Sequence, residues 1–186
     1  LKRVAAKETS DYIRSLHISN GVKIKEAIGL DKLEIVGEKV VNASLTDGSD
    51  INVDFVIVGI GITPNTYLAE GANLKINNGI LINEKCQTSV SNIYAAGDCT
   101  SFKYKNTLVR LESVGNAIDQ ATTVAQNIMK QNTSYTPKPW FWSDQYDLKL
   151  QIAGLNTGYD DVVVRKGENK QVSHWYYKGQ NLLAVD

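Results

Sequence analysis

The sequence predicts an α/β chain whose last part is rich in antiparallel strands, and three observations predict it. The run Phe55-Val56-Ile57-Val58-Gly59-Ile60 is unbroken and apolar, as expected of a strand covered on both faces, and it ends in glycines. Between residues 113 and 130, Val114, Ala117, Ile118, Ala121, Ala125, Ile128 and Met129 form one stripe of an amphipathic helix. Beyond Pro137-Lys138-Pro139 the helical period vanishes and short alternating segments take over.

Each element follows in order. Residues 10–20 read as a short helix: Tyr12, Ile13 and Leu16 are at helical spacing, Thr9 or Ser10 is the cap, and Asn20-Gly21 is the left-handed stop. Val22-Lys23-Ile24-Lys25 alternates as a half-buried strand. Strands at 33–36 and 39–45 flank Gly37-Glu38, and Asp47-Gly48 makes the next turn, giving an antiparallel meander with one wet face. After the apolar run, residues 68–74 are a short helical or loop passage. Gly79-Ile80-Leu81-Ile82 and Ile93-Tyr94-Ala95-Ala96 are short strands, the second ending at Gly97-Asp98. The long helix ends in Lys130, where its dipole favours a cation. Residues 131–139 form a linker, with a domain boundary near Tyr135. Strands are then expected at 148–152, 162–164, 172–177 and 182–185. Gly167-Glu168-Asn169-Lys170 and Lys178-Gly179-Gln180-Asn181 are the hairpin turns between them.

Composition excludes several classes. The 186 residues carry 20 Lys+Arg against 20 Asp+Glu, so the formal net charge is zero. A nucleic-acid binder needs an excess of cations to neutralise phosphates, and none is present. No apolar run approaches the roughly 20 residues of a membrane helix, and no signal-peptide pattern occurs. Cys86 and Cys99 have no metal-like spacing, which argues against a disulfide scaffold or a Cys-based zinc site and suits a reducing, cytoplasmic setting. His17 and His174 have no ligand partner at metal spacing and read as surface or half-buried residues. The chain opens without Met at Leu1-Lys2-Arg3-Val4, in what reads as structure. It stops inside the apolar run Leu182-Leu183-Ala184-Val185-Asp186, so a piece cut at both ends is expected.

Two stretches carry chemistry. A Gly59-Ile60-Gly61 turn after an apolar strand lets backbone approach a flat or phosphorylated ligand, although Pro64 breaks the full dinucleotide fingerprint. Read alone, such a turn is more often just a tight strand exit. At Gly97-Asp98 a strand of small residues delivers a carboxylate where open α/β sheets bind ligands; a turn or N-cap residue is the other use of such an Asp.

Together the motifs resemble one family. Gly59-Ile60-Gly61-x-x-Pro64-Asn65 followed by Tyr94-Ala95-Ala96-Gly97-Asp98-Cys99 is similar to the FAD-dependent pyridine nucleotide-disulfide oxidoreductases. Arg110-Leu111-Glu112-Ser113-Val114-x-Asn116-Ala117-x-x-Gln120 and Pro139-Trp140-Phe141-Trp142-Ser143-Asp144-Gln145 narrow the resemblance to the ferredoxin and rubredoxin reductase branch. The resemblance implies the remainder of two Rossmann-like dinucleotide-binding domains followed by a small α+β C-terminal reductase domain. Residues 1–61 would close the NAD(P)-binding domain, 62–134 would be the returning segment of the FAD-binding domain, and 135–186 would be the C-terminal domain.

The resemblance also implies site residues. Asp98 hydrogen-bonds the ribityl chain of FAD, and the backbone amide of Val114 approaches the flavin pyrimidine edge. Trp142 covers the flavin or nicotinamide. Gly59 and Gly61 lie near the nicotinamide ribose of NAD(P)H, and Glu112 accepts from its carboxamide. Trp142 also has a plain reading, since Trp140, Phe141 and Trp142 together would make the core of a small β domain. No side chain is expected to act as acid or base, and no metal is expected. The implied activity passes a hydride from NAD(P)H to FAD and single electrons on to a ferredoxin or rubredoxin, for an oxygenase system. The partner is thus a small iron–sulfur carrier, with no nucleic acid and no membrane, and the protein is a monomer or homodimer. An isolated piece lacking the first FAD motif would be inactive. The alternatives are an NADH oxidase, peroxidase or coenzyme A-disulfide reductase of the same superfamily, and a non-catalytic NAD-sensing or partner-binding module.

Overall fold

In the computed structural model, which describes residues 5–168 and 171–186, the chain divides into two units. One is Asp11–Ile62; the other joins the residues up to Ser10 with Thr63–Asp186. Leu1-Lys2-Arg3-Val4, and Asn169 and Lys170 of one expected hairpin turn, lie outside the described residues.

The first helix, α1 (Lys7–Ser19), starts earlier than its sequence suggests. Thr9 is inside it and buried, so it is not the cap, and the Ser10 amide already donates to Ala6 O. The stop is as expected: Asn20 N–H donates to Leu16 O and His17 O, and Gly21 is left-handed at φ +83°.

In the smaller unit, β1 (Leu30–Val36), β2 (Lys39–Leu45) and β3 (Asp50–Asn52) form the expected antiparallel meander in the order β1-β2-β3. The Asp47-Gly48 turn forms too: Asp47 Oδ1 accepts from the Ser49 amide and hydroxyl, and Gly48 has φ +80°. Val22-Lys23-Ile24-Lys25 is not a strand. Lys25 Nζ is held by Asp47 Oδ2 and Ser49 Oγ at 3.0 and 2.6 Å, so a side chain rather than a ladder ties this segment down.

The central apolar run is a second correction. Residues 55–60 form no strand, and Ile60 is 92% exposed. A parallel strand exists only with neighbours to pair with and helices over both faces, and the described residues supply it with neither.

The larger unit begins with α2 (Tyr67–Gly71) and a small sheet of β4 (Ile80–Leu81), β5 (Thr100–Tyr104) and β6 (Thr107–Val109). β4 runs parallel to β5, and β5 pairs antiparallel with β6. Lys105 and Asn106, both at positive φ, make the tight turn between the last two, in the conformation that a two-residue hairpin turn requires. Ile93-Tyr94-Ala95-Ala96 is not a strand, because its hydrogen bonds go to a loop. Thr88 N–H donates to Ile93 O, Ala95 N–H donates to Cys86 O, and one bridge joins Gln87 to Tyr94.

The long helix forms as α3 (Val114–Ile128), but with the opposite face inward. Its buried residues are Asn116, Gln120 and Thr123, while Val114, Ile118, Ile128 and Met129 are exposed. Hydrogen bonds hold the inward face. Asn116 donates to Leu111 O and accepts from the Tyr135 hydroxyl, and Gln120 is held by Gly97 and Thr100. Tyr135 lies in an irregular segment yet is buried in a core of Ile82, Cys86, Phe102 and Leu111.

The last sheet contains β7 (Trp140–Gln145), β8 (Leu148–Gly154), β9 (Asp161–Lys166), β10 (Val172–Lys178) and β11 (Asn181–Val185), in the order β7-β8-β11-β10-β9. Its ladders are antiparallel throughout. Only β7 lacks a counterpart among the expected strands. One face of the sheet buries Ile152, His174, Tyr176 and Ala184. Thr9 of α1 closes against this face, its Oγ1 2.8 Å from His174 Nδ1 and 3.1 Å from the Tyr176 hydroxyl.

Candidate functional site

The site is built around a turn. Gly97 is buried with φ +87°, a conformation that L side chains rarely adopt. A Cβ there would meet Ala117 at an ordinary 3.6 Å, so conformation rather than space requires the glycine. Gln120, fully buried on α3, accepts from the Gly97 amide at 2.7 Å through Oε1. The Thr100 hydroxyl lies 2.9 Å from the same oxygen and 2.8 Å from Gly97 O. With the turn locked from behind, the following residue, Asp98, is exposed.

Arg110, just past β6, reaches this turn. Its side chain is only 4% exposed, and Nη1 donates to the Asp98 carbonyl at 3.3 Å while pairing with Glu112 Oε1 at 2.6 Å. Two residues beyond Glu112, Val114 opens α3. Ser113 is the N-cap, its Oγ accepting from the Asn116 amide and its carbonyl from the Ala117 amide. The amides of Val114 and Gly115 are therefore those at the open, positive end of the helix. Arg110 thus links the Asp98 main chain to the Glu112 carboxylate, and Val114 follows two residues further along the sequence. Arg110 and Gln120 stand in the sequence motif, but nothing in their residue types announces that a cation and an amide are buried there.

Trp142 is held by a different element, β7. The alternation of that strand splits the aromatic cluster: Phe141 packs against the core with Tyr135, while Trp140 and Trp142 point outward. Trp142 is 46% exposed and stacks on Trp140 with ring centroids 5.0 Å apart. The core reading thus holds for Phe141 and fails for both tryptophans. Strand register puts Trp140, Ala153, Val185, Trp175 and Val163 in one row across the sheet, so all three tryptophans share its outward face. Arg165 lies over the Trp175 ring at 4.6 Å.

Gly59 and Gly61 belong to the smaller unit, in a stretch without regular structure. Gly61 has φ +94°, which favours glycine; a Cβ on Gly59 would meet open space. A cavity of about 400 Å³ lies elsewhere in the larger unit, lined by Leu81, Ile82, Phe102, Leu108, Tyr135 and Pro137 among others, and none of the candidate residues reaches it.

The remaining reactive groups are quiet. Cys86 and Cys99 are both free thiols, and burial pushes the Cys86 thiol up to about 11, so it stays protonated and unreactive. His174 is buried and bonded to Thr9 rather than placed as a base. Among the described residues no cluster of three or more His, Cys, Asp or Glu could hold a metal, and no helix is long and apolar enough to cross a membrane.

Comparison with known proteins gives consistent matches. The pyridine nucleotide-disulphide oxidoreductase family matches residues 1–121, and the reductase C-terminal family matches residues 140–186. The chain is 38% identical to rhodocoxin reductase of Rhodococcus erythropolis and 39% identical to putidaredoxin reductase of Pseudomonas putida. Both matches take in 100% of the chain but only 44% and 45% of those proteins. A rubredoxin-NAD(+) reductase of Pseudomonas putida is 33% identical, with 49% of its length covered. The chain therefore spans about half the length of these relatives. Among solved structures, a ferredoxin reductase from Rhodopseudomonas palustris superposes with a TM-score of 0.93 at 36% identity, over 99% of this chain and 46% of that one. Putidaredoxin reductase, solved as a covalent complex with putidaredoxin, gives 0.91 at 39% identity, over 100% of this chain and 46% of that one.

Proposed function

Because the chain belongs to the pyridine nucleotide-disulphide oxidoreductase family, in its ferredoxin and rubredoxin reductase branch, we propose that it supplies about half of an FAD-dependent reductase. That enzyme takes a hydride from NAD(P)H and delivers single electrons to a ferredoxin or rubredoxin, in the cytoplasm and for an oxygenase system. The relatives named for rhodocoxin, putidaredoxin and rubredoxin support the choice of carrier. The observation that carries the reading is the link of Asp98 and Glu112 through Arg110, with the Ser113-capped end of α3 next in the sequence. We divide the chain functionally at 1–61, 62–134 and 135–186, as its sequence implies.

The residues present suit a flavin. An exposed carboxylate at the end of a rigid turn suits a polyol chain, and an open helix N-terminus suits an edge that gains negative charge. When bound, FAD supplies the conversion of a two-electron donor into one-electron deliveries. The chain's own residues bind and orient. Asp98 accepts hydrogen bonds from ribityl hydroxyls, the Val114 amide donates to the pyrimidine edge, and Glu112 accepts from the carboxamide of the nicotinamide. Trp142 lends an aromatic surface that shields the reacting rings from water. Gly59 and Gly61 leave room for the nicotinamide ribose. In isolation the chain is expected to be inactive.

Steady-state assays of the full-length protein with NADH, NADPH, a ferredoxin and a rubredoxin test the proposal. Turnover with either carrier is expected. Turnover with oxygen, peroxide or a coenzyme A disulfide but with neither carrier would overturn it.

A further inference from the structure

We propose that Arg110 is the positioning residue of this site. Its buried guanidinium sets the main chain of Asp98 and the carboxylate of Glu112 in fixed register, and it cancels one of their two negative charges, so that the electron-rich edge of a flavin is accepted beside them. This inference rests on the flavin reading above.

Three observations carry it. Arg110 is the group that touches both acidic residues: its Nη1 donates to Asp98 O and pairs with Glu112 Oε1. It does so from a side chain 4% exposed, whereas Glu112 keeps 26% of its side chain open. Burying a guanidinium is costly, and a well-packed apolar residue would stabilise the fold at least as well. Its Nε, moreover, has no acceptor among the described residues. A fold-stabilising arginine would be expected to satisfy that donor.

The third observation is the room made for it. Gly79, at φ +133°, sits where a Cβ would stand 3.2 Å from Arg110 Cδ and 2.8 Å from both Cys99 O and Ser101 Oγ. The Gly79 backbone therefore passes close against the aliphatic stem of Arg110, at a position where a side chain would have to displace it.

Electrostatics gives the arrangement its purpose. Asp98 and Glu112 alone would present two negative charges to a cofactor that becomes more negative on reduction. With Arg110 in place the three groups carry a net charge of −1 rather than −2, and the helix terminus at Val114 adds positive potential.

The test uses full-length protein with R110M, R110K, E112Q and the R110M/E112Q double variant. FAD affinity for the apoprotein is measured by quenching of flavin fluorescence, and the flavin midpoint potential by spectroelectrochemistry. R110M should bind FAD roughly tenfold to a hundredfold more weakly, the loss of one charge-assisted contact, with the potential moved in the negative direction. R110K should recover most of both. E112Q should restore part of the affinity in the R110M background by removing the carboxylate that Arg110 pairs with, a rescue that a packing role would not produce. Wild-type affinity and potential in R110M, or a double variant no better than R110M, would overturn the proposal. Should R110M fail to fold, R110K decides, because a displaced potential with the charge retained also overturns it. Wild-type protein that binds no FAD would instead sink the flavin reading itself.

Discussion

Asp98 is exposed while the glycine before it is buried and locked by Gln120, so replacing its side chain should change binding far more than folding. In full-length protein Asp98→Ala is expected to lose FAD during purification, and full yellow occupancy would remove Asp98 from the site. Trp142, half open on β7, follows the same logic. Trp142→Ala should slow reduction by NADH while leaving the melting temperature within a few degrees, as checked by stopped-flow kinetics beside calorimetry. Asp186 shows the opposite behaviour, because burial raises its carboxyl above the ordinary 3.8, against smaller opposing pulls from Thr9, Tyr176 and His174. A carboxyl that holds its proton more tightly when folded makes the fold weaker as pH climbs from the ordinary value through the raised one. Asp186→Asn keeps an acceptor for the Tyr176 hydroxyl, which now donates to Oδ2, and should flatten that decline. Thermal midpoints of wild type and variant across the acid range would check it; parallel curves would show that Asp186 does not titrate in this window.

At the scale of elements, α3 teaches most. While its cap at Ser113 emerged from the structure, its existence was legible from the 3.6-residue stripe. Its orientation was not, since periodicity reports which face is apolar, and burial here went to Asn116 and Gln120 through their hydrogen bonds. Ser113→Ala should cost about 1 kcal/mol in helix stability and also disturb the end that carries Val114; unchanged unfolding by urea would contradict that. The strands of the last sheet were read from alternation, and β7 escaped because three consecutive aromatics look like a core cluster rather than an alternating strand. The Lys105-Asn106 hairpin escaped because a tight turn with Lys first is uncommon.

Across the whole molecule, the motif glycines, Asp98 and the reductase pattern were visible in the sequence, since each depends on a residue type at a fixed spacing. Arg110 as a link, Gln120 as a lock and Gly79 as a slot were not, since each depends on a contact between segments far apart in the chain. The run at 55–60 read as a buried strand because its composition suits a doubly covered one, while the described residues leave it open. A relative twice this length is the natural setting for such a segment.

The most direct measurement is the absorbance spectrum of the purified full-length protein before and after anaerobic addition of NADH or NADPH. A bound flavin spectrum that bleaches with one of the two nucleotides is the predicted result. Protein that is colourless, and stays so when FAD is supplied, would contradict the assignment of Asp98, Val114 and Trp142 to a flavin.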